Sequence, residues 1–147
     1  IHNAIGYNFR LTNIQAAMGV AQLEQLPEFL NRKKEIHRRY IDAIKDIPGL
    51  TLAEGPDYAH KNYWLNVVQI DREIYGEDGE FLMKRLEENG IQSRPVWALN
   101  HLQQPYRQCQ SYNIEKAIEL LEQSLCLPSS SNLGDEEIQK VISVLNG

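Results

Sequence analysis

Long apolar runs are missing from this sequence. Nowhere do about 18 hydrophobic residues follow one another, so no helix is expected to cross a membrane. Cysteine is nearly missing too: Cys109 and Cys126 are the two present, in neither a CxxC nor a metal-ligand spacing. They read as free thiols of a cytoplasmic protein, with a disulfide unsupported. Positive charge is in deficit, with 15 Lys and Arg against 20 Asp and Glu and a net charge of -5, so no global field gathers nucleic acid or an anionic membrane. Internal repeats are lacking, as is any His, Cys or carboxylate cluster that resembles a metal site. There is neither an initiating Met nor the basic-then-apolar layout of a signal peptide, and the expectation is a fragment or a processed chain.

What is present suffices for a core: 147 residues, 42% of them hydrophobic, fit one ordinary domain. Thr12 is a good N-cap, and from Asn13 to about Leu26 apolar residues fall on nearly every side of a helix, which therefore wants covering all round. Its Ala16, Ala17, Gly19 and Ala21 would let another helix or a second subunit approach closely. Pro27 suits the first turn of a new helix, whose apolar face is Ile36, Tyr40, Ala43, Ile44 and Ile47. Arg32, Lys33, Lys34, Arg38 and Arg39 alternate there with Glu28, Glu35 and Asp42 and read as a solvated face. Leu50 to Ala53 forms a short strand and Tyr63 to Ile70 a strong one. A helix over Gly79 to Asn89 closes at Gly90, and Ile91 to Arg94 returns as a strand before Pro95. Asn113 caps a helix with Ile114, Ala117, Ile118, Leu121 and Leu125 on one face. The last helix carries Ile138, Val141, Ile142 and Leu145 behind Asp135. The fold class is α+β, with helices packed on one side of a small sheet.

Two stretches could carry chemistry. Gly6-Tyr7-Asn8-Phe9-Arg10-Leu11-Thr12 places an amide and a guanidinium in a turn before a helix whose free N–H groups favour an anion. Asn8 could donate to a phosphate oxygen and Arg10 pair with one; equally, Asn8 could stabilise the turn and Arg10 bridge elsewhere. Arg94-Pro95-Val96-Trp97-Ala98-Leu99-Asn100-His101 follows a strand. Its guanidinium and imidazole suit anionic oxygens, and its indole suits an apolar sugar face. The alternative is a core Trp97 and a surface His101. His60-Lys61-Asn62 reads as a polar turn leading into the strand, and His2 and His37 receive no role.

The run GYNFRLTNIQAAMGVAQLEQL resembles the GYN(F/Y)R(L/M)(T/S)xIQAA segment of the DegT/StrS family of nucleotide-sugar aminotransferases. The likeness continues through the basic helix from Asn31 to Tyr40, Tyr63-Trp64, Gly90-Ile91, Arg94-Pro95, His101 with Tyr106, and Leu127-Pro128-Ser129. It implies the C-terminal small domain of a fold-type-I enzyme, residues 31–147, behind an interface turn and interdomain helix over residues 1–30. It also implies a homodimer in which Asn8 hydrogen-bonds the phosphate of pyridoxal 5'-phosphate in the partner's site, with Arg10 at the same interface. Arg94, Trp97 and His101 are implied to hold the substrate. The Arg-Pro-Val-Trp and Asn-His-Leu-Gln pattern most resembles enzymes that aminate a 4-keto, 6-deoxy UDP-sugar on the way to legionaminic-type nonulosonic acids.

Transamination needs a lysine that bonds the cofactor and a carboxylate for its ring nitrogen, and the resemblance places both upstream of this chain. Lys33, Lys34, Lys45, Lys61, Lys84, Lys116 and Lys140 lie in helices or polar turns, where a lysine is expected to be charged and solvated. The expectation is an enzyme moving an amino group, from glutamate, to a keto-sugar nucleotide, with no catalytic residue in this chain and no activity of the chain alone. A dehydratase of the same family, with histidine in place of that lysine, and a non-catalytic binding or dimerisation module are the alternatives.

Overall fold

In the computed structural model, which describes residues 3–6 and 10–147, the first helix, α1, runs unbroken over Asn13–Ile44. Thr12 caps it reciprocally: its hydroxyl accepts from the Gln15 amide at 3.3 Å while the Gln15 side chain accepts from the Thr12 amide at 2.8 Å. The expected break at Pro27 does not occur; Pro27 sits inside the helix. Proline removes the amide that would bond the carbonyl four residues back. That carbonyl belongs to Leu23, an exposed residue on an exposed turn, where water can take the missing donor's place.

The last three turns of α1 bury Ile36, His37, Tyr40 and Ile44. After a Pro48-Gly49 turn, with Gly49 at φ 81°, come β1 (Leu50–Leu52) and β2 (Asn66–Ile70), antiparallel with Leu50 opposite Ile70 and Leu52 opposite Val68. The strand expected from Tyr63 starts three residues late. Tyr63 has φ 52°, and the Trp64 amide donates to the Asn62 side chain at 3.1 Å. A local side-chain bond has taken the donor that a ladder would use. A one-turn helix, α2 (Arg72–Tyr75), and then α3 (Gly79–Glu88) follow. Asp78 caps α3 through the Glu80 and Phe81 amides. Gly90, at φ 71°, ends it in a paired motif: Ile91 N–H bonds Leu86 O and Gly90 N–H bonds Glu87 O, both at 2.8 Å.

The return strand, β3, is only Arg94–Pro95. Its second residue has no amide, which confines such a strand to a sheet edge. Helix α4 (Glu115–Glu122) begins behind Ile114 with no side-chain cap; the expected cap, Asn113, stands outside at φ 50°. Leu125, expected on the face of that helix, belongs instead to β4 (Ser124–Leu127), a strand buried at all four positions. Helix α5 (Asp135–Asn146) closes the chain, burying Ile138, Val141 and Leu145 as expected.

The sheet is antiparallel in the order β1-β2-β4-β3. Leu50, Leu52, Val68, Ile70, Leu125 and Leu127 share one face, against which α1, α3 and α5 pack Ile36, Tyr40, Ile44, Leu82, Leu86, Ile138, Val141 and Leu145. Each such side chain removed from water contributes roughly 1.5–3 kcal/mol, so this three-helix layer carries the fold. The class is α+β, as expected. The other face presents Thr51, Gln69, Cys126 and Arg94. Among the described residues no helix is long and apolar enough to cross a membrane.

The N-terminal half of α1 has no such cover. Ile14 is 75% exposed and Met18 65%, with Val20 and Leu23 alongside them. The covering expected for this helix does not come from the described part of the chain.

Candidate functional site

Side chains on α1, which the sequence suggests should point to water, instead hold the surrounding loops. Arg32 bonds the Leu133 carbonyl and, with Arg39, grips Asp135 at the start of α5. These two guanidinium groups hold the Asp135 carboxyl below the usual carboxylate range. Lys33 donates to Ser129 O at 2.6 Å and to Trp64 O at 3.3 Å. Burial pushes its ammonium down from the ordinary lysine value, so the expectation of a solvated Lys33 is wrong: it is half-buried at a joint between two loops. Lys34 and Arg38 are exposed, as expected.

Beneath Lys33 lies a polar chain that sequence reading missed. His37 Nδ1 is 2.8 Å from Asn66 Oδ1. The Asn66 amide nitrogen and Nδ2 both donate to Ser129 Oγ, at 2.9 and 3.1 Å, and Ser129 Oγ donates to Leu127 O at 2.9 Å. With Asn66 Nδ2 committed as donor, Oδ1 is an acceptor, so the hydrogen of the His37 bond belongs to Nδ1. His37 Nε2 faces Glu54 Oε1 at 4.0 Å, and Lys61 approaches the same oxygen at 3.9 Å. The Tyr63 ring lies 5.0 Å from the imidazole. Position 37, one residue after Ile36 on the face that also carries Tyr40, was the available signal.

This chain fixes the segments on either side of a cavity of about 300 Å³, bordered by Lys33, Trp64, Ser93, Arg94, Cys126 and Ser129. Arg94 reaches it from β3, in register with Cys126 of β4 on the face away from the core. Burial pushes the Cys126 thiol up, away from the thiolate that reacts. Trp97 packs on Trp64 with ring centroids 5.6 Å apart and planes at 40°; the two rings are 64% and 62% exposed. Trp97 is therefore not a core residue.

Of the residues expected to bind substrate, Arg94 and Trp97 are thus joined through Trp64, which sequence reading placed inside a strand. His101 lies apart in a 3₁₀ turn, Asn100–Leu102, half-buried, with Nε2 buried and without a hydrogen-bond partner among the described residues. Gln103 steadies that turn by donating to Ala98 O at 3.2 Å and Asn100 Oδ1 at 3.3 Å. Arg10 is exposed and makes no ion pair with a described residue; Asn8 lies outside the described residues. One of the α1 amides expected to be free for an anion, that of Gln15, is taken by Thr12. His60 is exposed. Among the described residues no group of three or more His, Cys, Asp or Glu is placed to hold a metal.

Residues 1–146 match the DegT/DnrJ/EryC1/StrS aminotransferase family. The chain belongs to that family. Its relatives include EpsN of Bacillus subtilis (strain 168), provisionally named a pyridoxal phosphate-dependent aminotransferase, 35% identical over 98% of this chain and 37% of its own length. GDP-perosamine synthase of Escherichia coli O157:H7 is likewise 35% identical, over 99% of this chain and 38% of its own. The chain thus spans under two-fifths of these relatives. Among solved structures, the aminotransferase TlmJ from Streptoalloteichus hindustanus superposes with a TM-score of 0.79 at 27% identity, covering 90% of this chain and 35% of TlmJ. PseC of Helicobacter pylori, described as an aminotransferase involved in pseudaminic acid biosynthesis, gives 0.81 at 23% identity over 97% and 38%, a likeness of fold. The helices and four-stranded antiparallel sheet are those of a fragment of the sugar aminotransferase fold.

Proposed function

We propose that this chain is the small-domain part of a pyridoxal-phosphate-dependent enzyme that transfers an amino group from an amino acid, glutamate by resemblance, to a keto-sugar nucleotide. Family membership over residues 1–146 carries the reading. In it, residues 1–30 are the interface turn and interdomain helix and residues 31–147 the small domain. The uncovered apolar stripe from Ile14 to Leu23 supports that division. The enzyme is a cytoplasmic homodimer, and Asn8 and Arg10 serve the phosphate of the cofactor held by the partner. Bound pyridoxal phosphate supplies the electron sink that makes amino transfer possible.

This chain's own residues bind and orient. Arg94 offers a fork of donors to an anionic oxygen, Trp97 an apolar surface to a sugar ring, and His101 a buried ring nitrogen with no hydrogen-bond partner among the described residues. None of the lysines fits the cofactor. Lys61, Lys84 and Lys116 face Glu54, Glu88 and Glu119, and Lys34, Lys45 and Lys140 are exposed. Lys33 borders a cavity, with its ammonium on two carbonyls and no carboxylate in the lining to serve a pyridine nitrogen. The chain alone is therefore inactive.

Two measurements test this reading. Incubating the 147-residue chain with pyridoxal phosphate gives no new visible absorbance and no borohydride-fixed lysine adduct; an adduct would overturn the division of labour. The complete polypeptide, supplied with glutamate and a 4-keto sugar nucleotide, releases 2-oxoglutarate in step with amino-sugar formation, and Asn8→Ala weakens cofactor retention. Failure to release 2-oxoglutarate with any keto-sugar nucleotide sinks the aminotransferase reading.

A further inference from the structure

The imidazole of His37 sits between two acceptors. Its Nδ1–H is spent on Asn66 Oδ1, an oxygen fixed as an acceptor because Asn66 Nδ2 donates to Ser129. The neutral ring therefore turns a lone pair, on Nε2, to its other side. That atom is buried and has no hydrogen-bond partner among the described residues. What it faces is the Glu54 carboxylate, with Oε1 4.0 Å away. A lone pair opposite a carboxylate oxygen is a contact one proton short. With Nε2 protonated, the ring has two donors for two acceptors, and a closure of about 1 Å brings nitrogen and oxygen to charge-assisted hydrogen-bond distance.

Glu54 belongs to the connection between β1 and β2. Ala53 anchors its start, donating to Val67 O at 2.8 Å. At its far end Tyr63, in the left-handed region at φ 52°, lays its ring 5.0 Å from the imidazole. Between these points the connection folds upon itself: Lys61 approaches the same Glu54 oxygen at 3.9 Å, and a Cβ on Gly55 would stand 3.1 Å from Lys61 Cε. The Glu54 side chain is 60% exposed, whereas His37 is 7% exposed and held by Asn66. The connection is the part that can move.

Charges around the ring pull both ways. Burial opposes a proton on His37, as do Lys61 from the connection and Lys33 from the preceding turn of α1. Lys33, however, is turned onto the Ser129 and Trp64 carbonyls. Tyr40, in the next turn, gives its hydroxyl to Pro128 O, and Asn66 and Ser129 are neutral. In favour of the proton are the Glu54 carboxylate and the relief of an acceptor buried without a donor.

We propose that His37 and Glu54 form a proton-operated latch on the connection over residues 53–63. Imidazole is the side chain suited to change charge between about pH 5 and 8. A proton taken from water onto Nε2 makes the ring a cation that draws the carboxylate in and closes the connection on α1; no covalent bond to carbon changes. As pH rises the proton returns to water and the connection is released. Trp64 follows Tyr63 and gives its carbonyl to Lys33, so the latch sets how firmly the approach to β2 is held.

Hydrogen exchange in the complete polypeptide, corrected for the intrinsic pH dependence of amides, tests the latch. From roughly pH 8 to pH 5.5, protection across residues 53–64 rises about tenfold, the scale of one charge-assisted hydrogen bond, while protection of α5 does not change. Glu54→Gln, at an exposed position that leaves the core intact, cuts the rise to below about twofold. His37→Gln abolishes it. His60→Asn, which removes the exposed imidazole of the same connection, keeps the full rise. Protection that does not change with pH in the wild type overturns the latch, as does a rise that survives Glu54→Gln or disappears in His60→Asn.

Discussion

The two halves of α1 belong to one helix and live in different surroundings. Residues 13–28 are exposed at every position, apolar ones included, whereas residues 32–44 bury Ile36, His37, Tyr40 and Ile44 and send Arg32, Lys33 and Arg39 to bind α5 and two loops. Capping and local bonding hold both halves helical; tertiary packing holds only the second. Helix formation and helix burial are therefore separate facts, and an apolar pattern around the whole circumference, as in the first half, is a statement about something outside the segment.

The sharpest way to break the comparison is truncation on each side. Ile36→Ala lowers the urea unfolding free energy of the chain by about 2–5 kcal/mol, as for other filled core sites, whereas Ile14→Ala changes it by less than about 0.5 kcal/mol. Equal losses would mean that the first half is packed in solution. A smaller effect comes from the polar chain on the packed side. Asn66→Ala strands His37 Nδ1 while the Ser129 hydroxyl keeps the residue-66 amide and Leu127 O; the loss is about 1–3 kcal/mol, and amide exchange through residues 62–66 should rise before α3 is affected.

The smallest is Asp135→Asn, which lowers the melting temperature slightly at neutral pH. Arg32 and Arg39 depress the Asp135 pKa on folding, so the pair's stabilisation is complete above the unfolded carboxylate value and is lost as pH falls through the lower, folded value. The wild type and the variant should therefore converge in acid. A melting difference that persists at the acid end would assign the effect to packing.

Much of this arrangement was legible. Gly90 closed α3 because a cap acts locally, the apolar period of α5 placed Ile138, Val141 and Leu145 inside, and the GYNFRLTNIQAA run declared the family. What escaped depends on partners distant in sequence. Ser-Leu-Cys-Leu over 124–127 has the look of a helix end or of a buried strand, and only β2 and β3 on either side decide. Pro27 signals a break, yet an exposed turn tolerates it. Lys33, His37 and Trp64 drew no attention because their chemistry is made by segments some 30 to 100 residues away. Of the residues at or beside the cavity, Arg94 and Trp97 were singled out from sequence, Lys33, Ser93 and Trp64 were not, and His101 lies apart.

The continuity of α1 through Pro27 also has a mechanical side. A helix of 32 residues runs about 48 Å, so the sheet grips one end of a long lever whose other end is Thr12, beside the GYN segment. A tilt of about 5° where Tyr40 is clamped would move the Thr12 end by roughly 4 Å over that length. Pro27, with one rung of the hydrogen-bond ladder gone, is where such a lever would flex. Displacement of the loops that Lys33 anchors and displacement of the Thr12 end are in this way two ends of one motion.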